Sequence, residues 1–133
     1  MADTEIVECL YENALQNGVE ETTIAVTKLR ELLAEGSGLA GYCLATLVCP
    51  GLVLGSEEVR SYLLQFSDEC EALYRQAFPL LLADADRGSI LAMNFLSIYY
   101  QTGLPPVQRD TEAMQYWDER WDQEVAKRKG QAD

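Results

Sequence analysis

Histidine is absent from all 133 residues. That removes imidazole general-base catalysis, the triads that depend on it and the usual histidine metal sites. No glycine-rich run of the Walker or dinucleotide type is present, so no loop is built to cradle a phosphate. No apolar run is long enough to span a bilayer. The opening Met1-Ala2-Asp3-Thr4-Glu5 is acidic, without the basic and then apolar pattern of a secretory leader. A cytoplasmic protein is therefore expected. The four cysteines, Cys9, Cys43, Cys49 and Cys70, show no CxxC spacing, and three of them fall within apolar helical patterns. They read as small buried thiols in a reducing compartment, with no metal and no cofactor expected.

Basic residues are scarce as well: 10 lysines and arginines face 22 acids, a net charge of -12. Three of the bases are Lys127, Arg128 and Lys129, so residues 1–126 carry seven bases against twenty-one acids, a net of -14. Such a surface repels nucleic acid and anionic membranes and favours a basic protein partner, although acidity also serves solubility alone. Carboxylate pairs such as Asp118 with Asp122, or Asp84 with Asp86, have a spacing available for acid–base work. Among 22 acids that spacing arises by chance, and the pairs read as solvated faces. No enzyme is expected.

What the chain has is apolar residues, 48% of the total, and an internal repeat. From Gly88 the ladder runs Ala92, Leu96, Tyr100 and Gly103; from Gly36 it runs Ala40, Leu44, Val48 and Gly51 at the same offsets. A spacing of four holds residues on one helical face, and a glycine past the last turn suits a left-handed cap. The alanine would let a neighbouring helix approach closely. The length suits one domain.

The later copy, Gly88, Ala92, Leu96, Tyr100 and Gly103 followed by Val107, Asp110, Ala113, Tyr116 and Trp117, resembles one unit of the Sel-one-like branch of the tetratricopeptide-type helical repeats. In that family the first block is helix A and the second is helix B. The earlier copy is similar to another helix A, with residues 20–35 as the helix B before it. The resemblance covers roughly residues 19–121. It implies an all-α fold, a short right-handed α-α superhelix in which about six to seven antiparallel helices stack as a solenoid. One departure is plain: the copies lie 52 residues apart, more than the roughly forty usual for such repeats, which places an insertion between them.

The expected organisation is a single domain: a capping helix over 1–18, a first degenerate repeat over 19–51, an inserted helical region over 52–83, a clear repeat over 84–126 and a frayed tail over 127–133. Thr4 can cap the first helix, which carries Ile6, Val7, Leu10, Ala14 and Leu15 on one face. The helix after it has Ala25, Val26, Leu29, Leu32 and Leu33 inward. Ser37 to Cys49 is apolar all round and must be covered on several sides, which makes it the centre of the core. Pro50-Gly51 breaks the chain before the apolar loop Leu52-Val53-Leu54. Ser56 and Ser67 each look like helix starts, and Pro79 should bend or break the helix near Gln76 to Phe78. Asp110 or Thr111 caps the last helix, whose Met114, Trp117, Trp121 and Val125 form a stripe expected to be buried.

Functionally, the resemblance implies a protein–protein interaction module or adaptor whose A-type helices wall a groove. Residues off the core register are the candidates for binding: Tyr42 on the first A helix, and Asn94, Ser97 and Gln101 on the second. Tyr99 and the edge of Trp121 are the aromatic anchors, with Tyr42, Tyr99 and Trp121 equally suited to completing the core. Asp118 and Asp122 supply the acidic rim. The competing expectation is a bacterial immunity protein or antitoxin that blocks a basic toxin by charge complementarity. Two repeats leave an open stack, so a homodimer is a further expectation.

Overall fold

The computed structural model describes residues 7–12, 16, 18–49 and 55–132. Thr4, Ile6, Ala14, Leu15 and the loop Pro50 to Leu54, to which the sequence assigned parts, lie outside them. The described residues form helices joined by turns, with no strand among them, so the fold is all-α. Residues 7–12 are helical, with Val7 buried and Leu10 and Tyr11 packed on the core.

The first long helix, α1, spans Val19–Ala34, with Glu20 and Glu21 in its first turn, where carboxylates favour the positive helix end. It buries Thr22, Ala25, Val26, Leu29 and Leu33. Its end is set by Gly36 at φ 102°, where a left-handed backbone lets the Gly36 amide bond Leu33 O and the Ser37 amide bond Leu32 O, each at 2.9 Å. Ser37 then starts α2, Gly38–Val48, its hydroxyl accepting from the Ala40 amide at 3.1 Å. The same corner recurs between α4, Cys70–Asp86, and α5, Ile90–Thr102. Gly88 sits at φ 94°, its amide bonds Ala85 O at 2.9 Å, the Ser89 amide bonds Asp84 O at 3.0 Å, and the Ser89 hydroxyl accepts from the Ala92 amide at 3.2 Å. The ladder in the sequence is thus a repeated turn leading into a repeated apolar helix. In this register α4 precedes the second corner as α1 precedes the first.

Between the copies lies α3, Glu57–Leu64, capped by the Ser56 hydroxyl at 3.2 Å from the Val59 amide and burying Val59 and Leu63. Ser67 does not cap a helix as expected. Ser67–Glu69 is a short 3-10 turn, closed by the Glu69 amide on Phe66 O, and α4 begins after it without a side-chain cap. Nor does Pro79 break α4, which is continuous from Cys70 to Asp86. Pro79 and Arg75 are both exposed, so the turn that lacks the i+4 donor lies on the solvent side of the helix.

The helices pack as a row: α1 on α2, α2 on α4, α4 on α5, and α5 on α6, Thr111–Ala132. As expected, α2 is the centre. Nine of its eleven residues are buried, covered by α1, α4 and α5. Close approach is made at two glycines. A methyl group at Gly41 would stand 2.8 Å from Leu33 Cδ1 and 2.9 Å from Ala77 Cβ, and one at Gly38 would stand 2.7 Å from the Leu81 amide nitrogen. This antiparallel register carries the end of α2 to the start of α4, where Cys49 and Cys70 are disulfide-bonded with Cα atoms 5.1 Å apart. The expectation of four unpaired buried thiols is corrected here. Only Cys43 is buried and free, and Cys9 is exposed.

The last helix departs from expectation at both flanks of its stripe. Trp117 is buried, but Met114 and Val125 are half-buried and Trp121 is 39% exposed, because α6 ends the row with α5 as its main support. The tail does not fray at 127. Helix α6 continues to Ala132, with Arg128 donating to the Gly88 carbonyl and basic residues near the negative helix end. Among the described residues no helix is long and apolar enough to cross a membrane.

Candidate functional site

The α5–α6 edge holds most of the residues singled out from the sequence. Helix α5 is fixed at its start by the Ser89 cap and at its end by Gly103, whose amide bonds Tyr99 O at 2.8 Å. Helix α6 is started by Asp110, whose carboxylate accepts from the Ala113 amide at 3.1 Å and whose own amide bonds Tyr100 O at 2.9 Å. Arg109 donates through Nε to Gln101 O at 3.1 Å and closes the connection. These bonds set the register that brings Ser97 against Asp118.

The Ser97 hydroxyl donates to Asp118 Oδ1 at 2.6 Å, so Ser97, itself buried, is a strut between the two helices rather than a surface donor. One turn to either side of it Asn94 and Gln101 are exposed. Asp122, one turn beyond Asp118, is exposed with it, and Trp121 shows part of its ring beside them. The edge is therefore a polar ridge of two side-chain amides backed by two carboxylates. An amide side chain offers both donors and an acceptor, and the carboxylates offer acceptors only, which suits cationic and peptide-like groups.

The aromatic anchors are divided by the structure. Tyr99 is fully buried and its hydroxyl donates to Tyr74 O at 2.7 Å, so it presents no surface to a partner. Tyr42 is half-buried, stacked on Phe95 with centroids 4.0 Å apart, and meets Tyr74 edge-on at 5.8 Å. It joins α2 to α5 across the row and keeps one part of its ring at the surface. Burial, with neighbouring Tyr74 as a lesser cause, pushes the Tyr42 and Tyr99 phenols above their ordinary value of 10.0, so both keep their protons at neutral pH. Their sequence positions on helices were legible. Which of them faced outward depended on α4, whose Tyr74 and Phe78 close over Tyr99.

A second feature lies on the other type of helix. Between α1 and α4 is a shallow open hollow of about 280 Å³ lined by Leu33, Ala34, Ala72, Leu73, Arg30 and Glu69 among others. Arg30 pairs with Glu69 through both carboxylate oxygens, at 2.7 and 3.2 Å, and its guanidinium lies 5.3 Å over the Phe66 ring. Sequence reasoning missed this cluster because its partners are 39 residues apart and share no local pattern. Among the described residues no group of three or more cysteines and carboxylates is placed to hold a metal ion. Compared with known proteins, the chain matches no family model, no curated protein and no solved structure.

Proposed function

We propose that this chain is a non-enzymatic protein–protein interaction module, a short α-α superhelix of the Sel-one-like kind, which binds a basic protein at the ridge formed by α5 and α6. Asn94 and Gln101 supply directional hydrogen bonds, Asp118 and Asp122 supply charge, and Tyr42 and Trp121 supply the partly exposed aromatic surface. The observation that carries it is the Ser97–Asp118 bond: it locks one carboxylate of the acidic edge in place between two exposed amides, which lowers the ordering cost at binding. A net charge of -12 adds long-range attraction for a basic partner and raises its association rate. The same charge favours, as a second use of the same surface, an inhibitor that covers a basic toxin or effector. The test is capture by the tagged full chain from its native host at about 0.05 M and about 0.5 M salt, where the screening length shortens from above 10 Å to below 5 Å. A basic protein retained at the lower and lost at the higher concentration is the expected result. Retention indifferent to salt, or of acidic proteins only, would sink the proposal.

A further inference from the structure

We propose that Cys49 and Cys70 form a reversible thiol–disulfide exchange site, whose reaction partners are small-molecule or protein thiols, and that the bond governs how firmly residues 55–69 are held to α1 and α2. The bond joins the end of α2 to the first residue of α4 across 21 positions of sequence, and the loop it closes contains α3 and the Ser67–Glu69 turn. The helix pair it bridges stands without it. The α2–α4 seam is filled by the Gly38–Leu81 and Gly41–Ala77 contacts and by fully or nearly fully buried Leu44, Ala45, Leu73 and Ala77. The enclosed loop is held far more thinly. Among its described residues only Val59 and Leu63 are fully buried apolar side chains, Tyr62 and Phe66 are partly buried against the core, and the Arg30–Glu69 pair that ties it to α1 is 38% and 40% exposed, in the range where solvent screening leaves little net attraction. Opening the bond therefore acts on the loop and spares the row of helices.

The chemistry has a direction. Both cysteines are half-buried rather than sealed in the core. An external thiolate attacks Cys49 Sγ, the Cys49–Cys70 bond breaks, and Cys70 leaves as a thiolate at the first position of the 17-residue α4, at the positive end of the helix dipole. The flanking carboxylates of Asp68, Glu69 and Glu71 temper that stabilisation. A second external thiolate then attacks the reagent sulfur of the mixed disulfide on Cys49 and releases the Cys49 thiolate. Two external thiols are thereby oxidised to one disulfide, two electrons reduce the protein bond, and the two protons end on Cys49 and Cys70. Cys43 does not intervene, since burial and the nearby Glu8 push its thiol up to about 12 and leave almost no thiolate.

The experiment is equilibration of the full chain in glutathione buffers of varied reduced-to-oxidised ratio, with acid quench, alkylation and mass determination of the Cys49 and Cys70 peptides, followed by hydrogen exchange of the two end states. The expected result is a bond that opens and closes across the ratio series. In the open state amide exchange in residues 57–66 rises on the order of tenfold or more while α5 is unchanged. The double variant C49S/C70S, checked for helix content by circular dichroism, should show the open-state pattern at every ratio. A bond that stays closed in reduced glutathione alone would overturn reversibility and leave a structural staple. Exchange that rises throughout the chain, or equal exchange in the two states, would overturn control of the loop.

Discussion

Tyr99 is the residue on which sequence and structure part most clearly. Its position on helix α5 suited either an anchor or a core residue, and the Tyr74 carbonyl decides for the core by accepting its hydroxyl. Tyr99→Phe leaves that buried carbonyl short of a donor and should cost about 1–2 kcal/mol, read as a lower urea midpoint at unchanged slope. A midpoint within error of the wild type would mean that the bond contributes nothing. Tyr42, Tyr74 and Tyr99 titrate above 10.0 in the folded chain, chiefly through burial, and Cys43 titrates at about 12 against an ordinary 9.0. In each case the neutral form is the one the fold prefers. Their contribution is complete below the unfolded values, near pH 9 for the thiol and pH 10 for the phenols, and is lost as pH rises past them. The melting temperature should hold steady from pH 7 to about 9 and fall above it, with a shallower fall in Tyr42→Phe. A profile that rises above pH 10, or an identical slope in the variant, would contradict the burial of these groups.

At the scale of elements the repeated corner makes a paired statement. Ser37→Ala and Ser89→Ala each remove one helix cap of the same geometry, so each should cost about 1 kcal/mol in chemical denaturation. Costs that differ severalfold would show that the two corners are not equivalent. Gly41→Leu should cost more, about 1–3 kcal/mol beyond any gain in helix propensity, because Leu33 and Ala77 already fill the space. The apolar α2 was legible because it depends on residues within four positions of one another, whereas the Ser37 and Ser89 caps, equally local, were not read from the sequence. Ser56 announced α3, and Asp110 announced α6. What was hidden depends on pairing across the row. Glycine at 38 and 41 reads locally as helix-weakening and gains its purpose only when α4 lies against it. Pro79 reads as a breaker until its exposed side is known. Cys49 and Cys70 look like unrelated apolar positions until the antiparallel register of α2 and α4 brings them together. On the candidate site, the helical phase placed Asn94 and Gln101 outward, whereas the Ser97–Asp118 strut required knowing how α6 packs on α5.

For the whole molecule, charge and architecture point the same way. The chain carries 22 acids against 10 bases, and the α5–α6 ridge is where exposed amides meet two of those acids. The central claim is that a basic partner is held at this ridge and not by overall charge. The direct measurement is quantitative capture of the salt-sensitive partner by wild-type chain and by three variants of equal fold: Asn94→Arg, Asp122→Lys, and Glu20→Lys at the far end of the row. Asn94→Arg and Asp122→Lys should retain roughly a tenth or less of the wild-type amount, the loss expected when a like charge replaces a directional contact worth about 1.4 kcal/mol or more. Glu20→Lys, which changes net charge as much as Asp122→Lys does, should retain most of it. Equal losses in Glu20→Lys and Asp122→Lys would contradict a site at the ridge and leave only a diffuse acidic surface.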